Sequence, residues 1–264
     1  MTLWRVSVRV EPAGAEPLRA RMLALVPEGF EEREVSGTLE LAAYVSERRR
    51  DAILEQLPGA AAELVADGWE DAWRAFHRPV RAGGLWIGPP WESPPDSARA
   101  VLIEPGRAFG TGAHPTTRLC IELLGAMPVR GSLLDVGCGS GVLAIAGSRL
   151  GFVPVAAIDV DPVAVETTRA NAGANGAVLD AFVLDAVREP LPRADVAVAN
   201  VLLEPVEEIL GRLDAERAVT SGYLSTDAPR APDWNHVDRR ELGGWAADAW
   251  VRPAAQNRMR ESTV

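Results

Sequence analysis

Apolar and polar residues change their spacing several times along the chain, and each change marks an element. Leu3 to Val10 alternates as a half-buried strand does. Leu18, Met22 and Leu25 recur at helical spacing, which predicts a helix over Pro17–Leu25. Phe30–Val35 and Thr38–Val45 read as strands around the tight turn Ser36-Gly37. Arg48–Leu57 gathers Ile53, Leu54 and Leu57 on one helical side, and Ala62–Ala66 is short enough for a last strand. Strand-helix-strand-strand-helix-strand is the order of a ferredoxin-like α+β unit.

The rhythm is lost between 66 and 99. Trp69, Trp73, Trp86 and Trp91 fall there, and Pro79, Pro89, Pro90, Pro94 and Pro95 exclude a long helix. Trp69, Trp73 and Phe76 share one face of a short predicted helix. The stretch reads as a linker packed by its own aromatics, since tryptophan is more often structural than a substrate rim.

From about residue 100, strands and helices alternate. Strands are expected at Val101–Glu104, Leu133–Val136, Val155–Ile158, Ala181–Leu184 and Val196–Ala199. Helices are expected at Thr116–Leu124, Val142–Leu150, Pro162–Asn175 and Glu204–Leu213. Such alternation builds a mostly parallel sheet covered on both faces. The expected organisation is therefore a small domain over 1–65, a linker over 66–99 and an α/β domain over 100–264.

Composition narrows the chemistry. The 264 residues carry 27 basic and 37 acidic side chains, a formal charge of −10, and all 27 basic residues are arginine. Without lysine there is no Schiff-base or pyridoxal-phosphate chemistry, no Walker P-loop and no kinase strand-three lysine. The acidic balance argues against broad nucleic-acid binding. Cys120 and Cys138 alone make neither a disulfide framework nor a zinc site, so no metal is expected. No run of about 18 apolar residues predicts a membrane span, and no signal-peptide core is present, so a cytoplasmic protein is expected.

The densest motif is Leu133-Leu134-Asp135-Val136-Gly137-Cys138-Gly139-Ser140-Gly141-Val142. A buried strand runs into three glycines at alternate positions and then a helix, where α/β sheets bind nucleotides. A dinucleotide fold requires Gly-x-Gly-x-x-Gly to meet a pyrophosphate. The Gly-x-Gly-x-Gly found here instead resembles the first motif of class I S-adenosylmethionine-dependent methyltransferases, a resemblance that implies a ligand without phosphate. Asp159 ends the next strand, 22 residues after Gly137, and can accept from both ribose hydroxyls; Asp161, before Pro162, is the better helix cap. Asp185 follows the third strand and is a good turn residue, and in a methyltransferase of the class this motif resembles an acid here contacts adenine. Asn200 ends the fourth strand, and its amide oxygen can receive an amine hydrogen. Capping the following helix is an alternative role for Asn200. Upstream, Glu104 to Arg118 forms a glycine-rich loop entering a helix capped by Thr116 or Thr117.

The glycine turn, preceded by Phe109-Gly110-Thr111-Gly112-Ala113-His114-Pro115-Thr116-Thr117 and followed by Asn200-Val201-Leu202, resembles the bacterial methyltransferases of ribosomal protein L11. Asp71-Ala72-Trp73-Arg74, Pro79 and Pro90-Trp91 are also similar to that family, and the likeness runs over residues 65–222. It implies a Rossmann-like class I methyltransferase fold with a mostly parallel seven-stranded sheet, behind a small ferredoxin-like domain that docks the substrate protein. The implied reaction moves methyl groups from S-adenosylmethionine to α-amines and lysine ε-amines of ribosomal protein L11.

By the resemblance, Thr116, Gly137, Asp159 and Asn200 contact S-adenosylmethionine. Gly139, Gly141 and Asp185 join them as cofactor-binding residues, and Phe109 and His114 line the amine pocket beside Asn200. His114 is the one histidine near the motifs and reads either as a base or as a structural clamp. A monomer without sequence-specific nucleic-acid binding is expected. After Leu213 the chain departs from the pattern: no helix is evident before the last two strands, so a reduced C-terminal edge is open. Trp250 stands where the family has a late tryptophan beside the active site. A methyltransferase acting on another protein, RNA or a small molecule, a nicotinamide-dependent dehydrogenase and a non-catalytic binding module remain alternatives, the dehydrogenase disfavoured by the glycine spacing.

Overall fold

The computed structural model describes residues 3–26, 30–65, 77–104, 112–128 and 130–253. The predicted helix around Trp69, Trp73 and Phe76, the Asp71–Arg74 segment and Phe109 lie outside them. The chain divides into two compact units, Met1–Arg78 and Pro79–Val264.

The first unit follows the predicted order: β1 (Leu3–Val10), α1 (Ala15–Leu25), β2 (Glu31–Val35), β3 (Thr38–Ser46), α2 (Glu47–Gln56) and β4 (Ala61–Leu64). The strands pair antiparallel in the order β2-β3-β1-β4, the ferredoxin-like arrangement. Ser36 and Gly37 both take left-handed angles, φ 51° and 84°, which a two-residue hairpin of matching twist demands. Val6, Val8, Leu41, Ala43 and Val45 bury one sheet face against Met22, Val26, Ile53 and Leu57. On the opposite face Arg5, Arg9 and Arg33 converge on buried Glu40. Hydrogen bonds from these guanidinium groups, Arg5 foremost, hold the Glu40 carboxyl down at about 2. Arg50, in the run Arg48-Arg49-Arg50, lies over the Trp4 ring.

The second unit opens with a small sheet, β5 (Val80–Ala82), β6 (Leu85–Gly88) and β7 (Ala100–Leu102). This corrects two expectations. The strand expected at Val101–Glu104 belongs to this small sheet, not to the large one, and Trp86 is a buried strand residue within it.

The large sheet holds seven strands in the order β10-β9-β8-β11-β12-β14-β13. They are β8 (Leu133–Val136), β9 (Val155–Asp159), β10 (Asp180–Val183), β11 (Ala194–Asn200), β12 (Ala215–Leu224), β13 (Asn235–Leu242) and β14 (Trp245–Val251). The first five run parallel, and β14 and β13 complete the edge antiparallel. Four helices accompany them: α3 (Pro115–Ala126), α4 (Val142–Arg149), α5 (Pro162–Asn175) and α6 (Leu203–Arg212). Leu119, Ile121 and Leu124 of α3, the apolar start of α4 and Val165 and Ala172 of α5 seal one face. Val206, Ile209 and Leu210 of α6, with Tyr223, Trp234 and Trp250, seal the other.

The C-terminal edge is therefore complete, and the expectation that it is reduced is corrected. Residues 225–234 contain no helix, and their loop covers the sheet by anchored side chains instead. The Trp234 indole donates to the Leu210 carbonyl at 2.9 Å, Arg252 stacks over the Trp234 ring, and Arg230 pairs with Glu207. Beneath the loop, Asp248 is fully buried and accepts from Tyr223 Oη (2.8 Å) and Arg239 Nη1 (3.2 Å), and lies 2.7 Å from His236 Nε2. Arg239 also donates to the carbonyls of Ser225 and Asp227 and so ties down the loop.

A buried carboxylate shared by several donors is costly to remove alone, because its partners stay behind unpaired. Asp248→Ala is expected to lower the unfolding free energy by about 3 kcal/mol, read from the midpoint of urea denaturation. A shift within error of zero would show that the donors find water instead.

Candidate active site

The site forms at the carboxyl ends of β8, β9, β10 and β11, where loops leaving adjacent parallel strands open a crevice. Gly137, Gly139 and Gly141 all have left-handed backbones, at φ 76°, 53° and 82°. A Cβ at Gly137 would stand 2.6 Å from a Val201 methyl, and one at Gly141 would stand 2.9 Å from Thr168 Cγ2. The turn is therefore open only because its corners carry no side chain.

Two carboxylates fix the turn. Asp135 is buried at the end of β8 and accepts the Ala144 N–H at 2.9 Å, while its Oδ1 has no hydrogen-bond partner. Burial pushes its carboxyl up to about 7. Asp159 accepts from Gly139 N and from Asp161 N, each at 3.0 Å, one bond to each oxygen. Each oxygen keeps a second acceptor position, as a ribose diol requires. Asp161 caps α5 through Val163 N, as its position before Pro162 predicts. Asp185 accepts Val187 N at 3.0 Å, the turn role open to it, and stays half-buried beside the end of β9.

On the other side of the crevice the caps differ from expectation. The N-cap of α3 is His114, not Thr116 or Thr117, which are buried in its first turn. His114 Nδ1 lies 2.8 Å from Thr116 Oγ1 and accepts from Thr116 N. Burial lowers the imidazole to about 4, so it is neutral at pH 7. Asn200 closes β11 and does not cap α6, whose N-cap is Leu202. Its Nδ2 donates to Thr117 Oγ1 at 3.3 Å, which leaves Oδ1 as the free acceptor.

The structure thus gathers Gly137, Gly139, Gly141, Asp159, Asp185 and Asn200 at the carboxyl ends of neighbouring parallel strands, with Thr116 and His114 tied to Asn200 through α3. The late tryptophan is a further correction. Trp250 faces the α6 side, bonded to Thr220 Oγ1. Trp245 is the one beside His114, with ring centroids 4.9 Å apart at an edge-on angle of 70°. Gly243-Gly244 before it, a two-residue hairpin turn, was the available signal. Thr117 as the partner of Asn200 had no signal in the sequence. Among the described residues no cluster of His, Cys, Asp or Glu is placed to hold a metal, and no helix is long and apolar enough to cross a membrane.

A seven-stranded sheet in this order, with a glycine turn at the end of β8, defines a class I methyltransferase fold. A ribosomal protein L11 methylase from Lactobacillus delbrueckii subsp. bulgaricus superposes with a TM-score of 0.60 at 26% identity, over 67% of this chain and 99% of that one. Residues 20–228 match the family model of ribosomal protein L11 methyltransferase (PrmA), and the chain belongs to that family. The ribosomal protein L11 methyltransferase of Symbiobacterium thermophilum is 39% identical over 71% of this chain, and that of Pseudomonas savastanoi pv. phaseolicola 39% identical over 77%. The matched stretches span 66% and 73% of those relatives' own lengths.

The low pKa of His114 has a thermodynamic consequence. Between about 4 and 6.5 the unfolded chain binds a proton there that the folded chain refuses, so this contribution is complete above pH 6.5 and is lost as pH falls towards 4. Stability is expected to drop by about 3 kcal/mol more in the parent than in His114→Asn across that window, measured by urea unfolding at each pH. Parallel curves would place the imidazole in water.

Proposed function

We propose that this protein transfers methyl groups from S-adenosylmethionine to amines of ribosomal protein L11, its α-amine and lysine ε-amines. The observation that carries the reading is the placement of Asn200. Its amide is aimed by Thr117, its Oδ1 is free, and the next residue, Val201, lies against Gly137 of the turn.

The crevice suits the cofactor. The glycine turn has no room for a Cβ at Gly137 or Gly141 and admits a nucleoside against backbone, and Asp159 offers two acceptor positions to a ribose. When bound, S-adenosylmethionine supplies a sulfonium methyl group that needs no acid to leave. Gly137, Gly139, Gly141, Asp159 and Asp185 hold the nucleoside end in this reading, and Thr116 and Asn200 the methionine end.

Alignment is then the main task of the protein, and holding reactants in line contributes a large part of such a rate. Asn200 Oδ1 accepts a hydrogen bond from the attacking amine and turns its lone pair towards the methyl group. His114 orders the first turn of α3, and thereby Thr116 and Thr117, rather than acting as base. An imidazole held near 4 binds a proton far too weakly to take one from an ammonium group near ~10.4. Trp245, edge-on to His114, walls the amine pocket in this reading, and the first unit docks the substrate protein. We read the protein as cytoplasmic and monomeric.

Incubation with purified ribosomal protein L11 and labelled cofactor should add mass in steps of one methyl group, read by intact-mass spectrometry. Asn200→Ala should keep its unfolding midpoint and lose about 100-fold in turnover. Absence of any methyl increment on L11 would remove the substrate assignment, and near-normal turnover by the variant would remove the role of Asn200.

A further inference from the structure

Helix α5 buries a polar stripe where its amphipathic pattern calls for apolar residues. Thr168, Asn171 and Asn175 stand three and four positions apart and are each at most 7% exposed. All three bond to backbone of other segments. Thr168 Oγ1 donates to the Gly139 carbonyl at 3.1 Å. Asn171 Nδ2 donates to the Ser140 carbonyl at 2.8 Å, and its Oδ1 accepts from Glu104 N at 3.4 Å. Asn175 pairs with both groups of Leu102, accepting its N–H at 2.8 Å and donating to its carbonyl at 2.6 Å.

The backbone geometry explains the stripe. Strand β7 turns Val101 and Ile103 towards β6, so Ala100, Leu102 and Glu104 point to its open edge. Among the described residues no strand lies there. Arg149 satisfies Ala100, Asn175 satisfies Leu102 and Asn171 satisfies Glu104. These side chains stand in for a missing strand, because an unpaired buried backbone group is costly. Asn171 does more, since the same amide also holds the glycine turn.

We propose that Thr168 and Asn171 are positioning residues for the cofactor. A trans peptide carries its N–H opposite its carbonyl, so pinning the Gly139 and Ser140 carbonyls on α5 sets the planes of two consecutive peptides of the turn. Asn171 locks that shape to β7, and Asn175, which touches β7 but not the turn, supports the fold alone. The proposal rests on S-adenosylmethionine being the ligand of the turn.

The test is calorimetric titration of the full chain with S-adenosylhomocysteine, with thermal unfolding in parallel. Asn171→Leu and Thr168→Val should weaken binding about tenfold, Thr168→Ser should restore it, and Asn175→Leu should lower the unfolding temperature with the dissociation constant unchanged. In turnover, Asn171→Leu should raise the KM for S-adenosylmethionine more than it lowers kcat. Parent-like affinity in Asn171→Leu, with a loss of stability matching Asn175→Leu, would overturn the proposal. If Asn171→Leu does not fold, parent-like affinity in Thr168→Val decides equally. A parent chain that fails to bind S-adenosylhomocysteine overturns the cofactor reading itself, and this is seen before any variant is compared.

Discussion

The turn leaving β8 is the constraint on which the rest of the large unit depends. Its corners lie in left-handed backbone and are pressed by Val201 on one side and Thr168 on the other, so no side chain fits at Gly137 or Gly141. A chain so bare loses much conformational freedom on folding. The surroundings offset that loss by gripping the backbone directly. Asp135 holds the first turn of α4, Asp159 holds the Gly139 N–H, and Thr168 and Asn171 hold the next carbonyls. The same contacts leave the cleft side of the turn open.

A similar substitution of polar contacts for regular packing recurs at the far edge of the sheet. Where a helix would cover β12, β14 and β13, the chain runs as a loop through 225–234. Arg239, Arg230 and Trp234 pin that loop, and the buried Asp248 beneath it gathers Tyr223, His236 and Arg239. Beside that edge, Gly222 (φ 105°) makes a bulge in β12, and a Cβ there would meet the Val201 carbonyl at 2.0 Å. The loop that follows Asn200 therefore rests on the same strand that Tyr223 and Asp248 brace.

This arrangement explains what could be read from the amino-acid order and what could not. Period-two spacing marks strands with one apolar side, and β1 and β3 of the first unit were legible on that ground; β8 was legible as a short buried run before the glycines, and the start of α5 from Asp161 and Pro162. The glycine turn and Asp159 were legible because their chemistry is local. His114 displaced Thr116 and Thr117 as the cap because a histidine accepting through Nδ1 does the work of a threonine, which no residue preference announces. Trp245 and Trp250 lie on opposite sides of one strand, and only the register of β14 against β12 and β13 separates them. The reduced edge was expected because no helix is evident after Leu213, and here the cover is a loop anchored by Trp234, Arg230 and Arg239.

The electrostatics of the cleft bear on how an amine is chosen. In the proposed reaction the acceptor must arrive neutral or lose its proton on the way in. His114 is held near 4 by burial and its Nδ1 is already engaged by Thr116. Asp135, though pushed up to about 7, is sealed beneath the turn at 1% exposure. Asp159 and Asp185 spend acceptor positions on backbone N–H groups. In this reading a neutral amine becomes the reactive species through desolvation, which disfavours the ammonium form, and through the neutral acceptor Asn200 Oδ1. A neutral oxygen facing the nitrogen satisfies one N–H without stabilising a full positive charge as a carboxylate would. Selection by protonation state then follows from the type of residue at position 200: an amide there favours the form that can attack, whereas an acid would hold the ammonium form and slow the transfer.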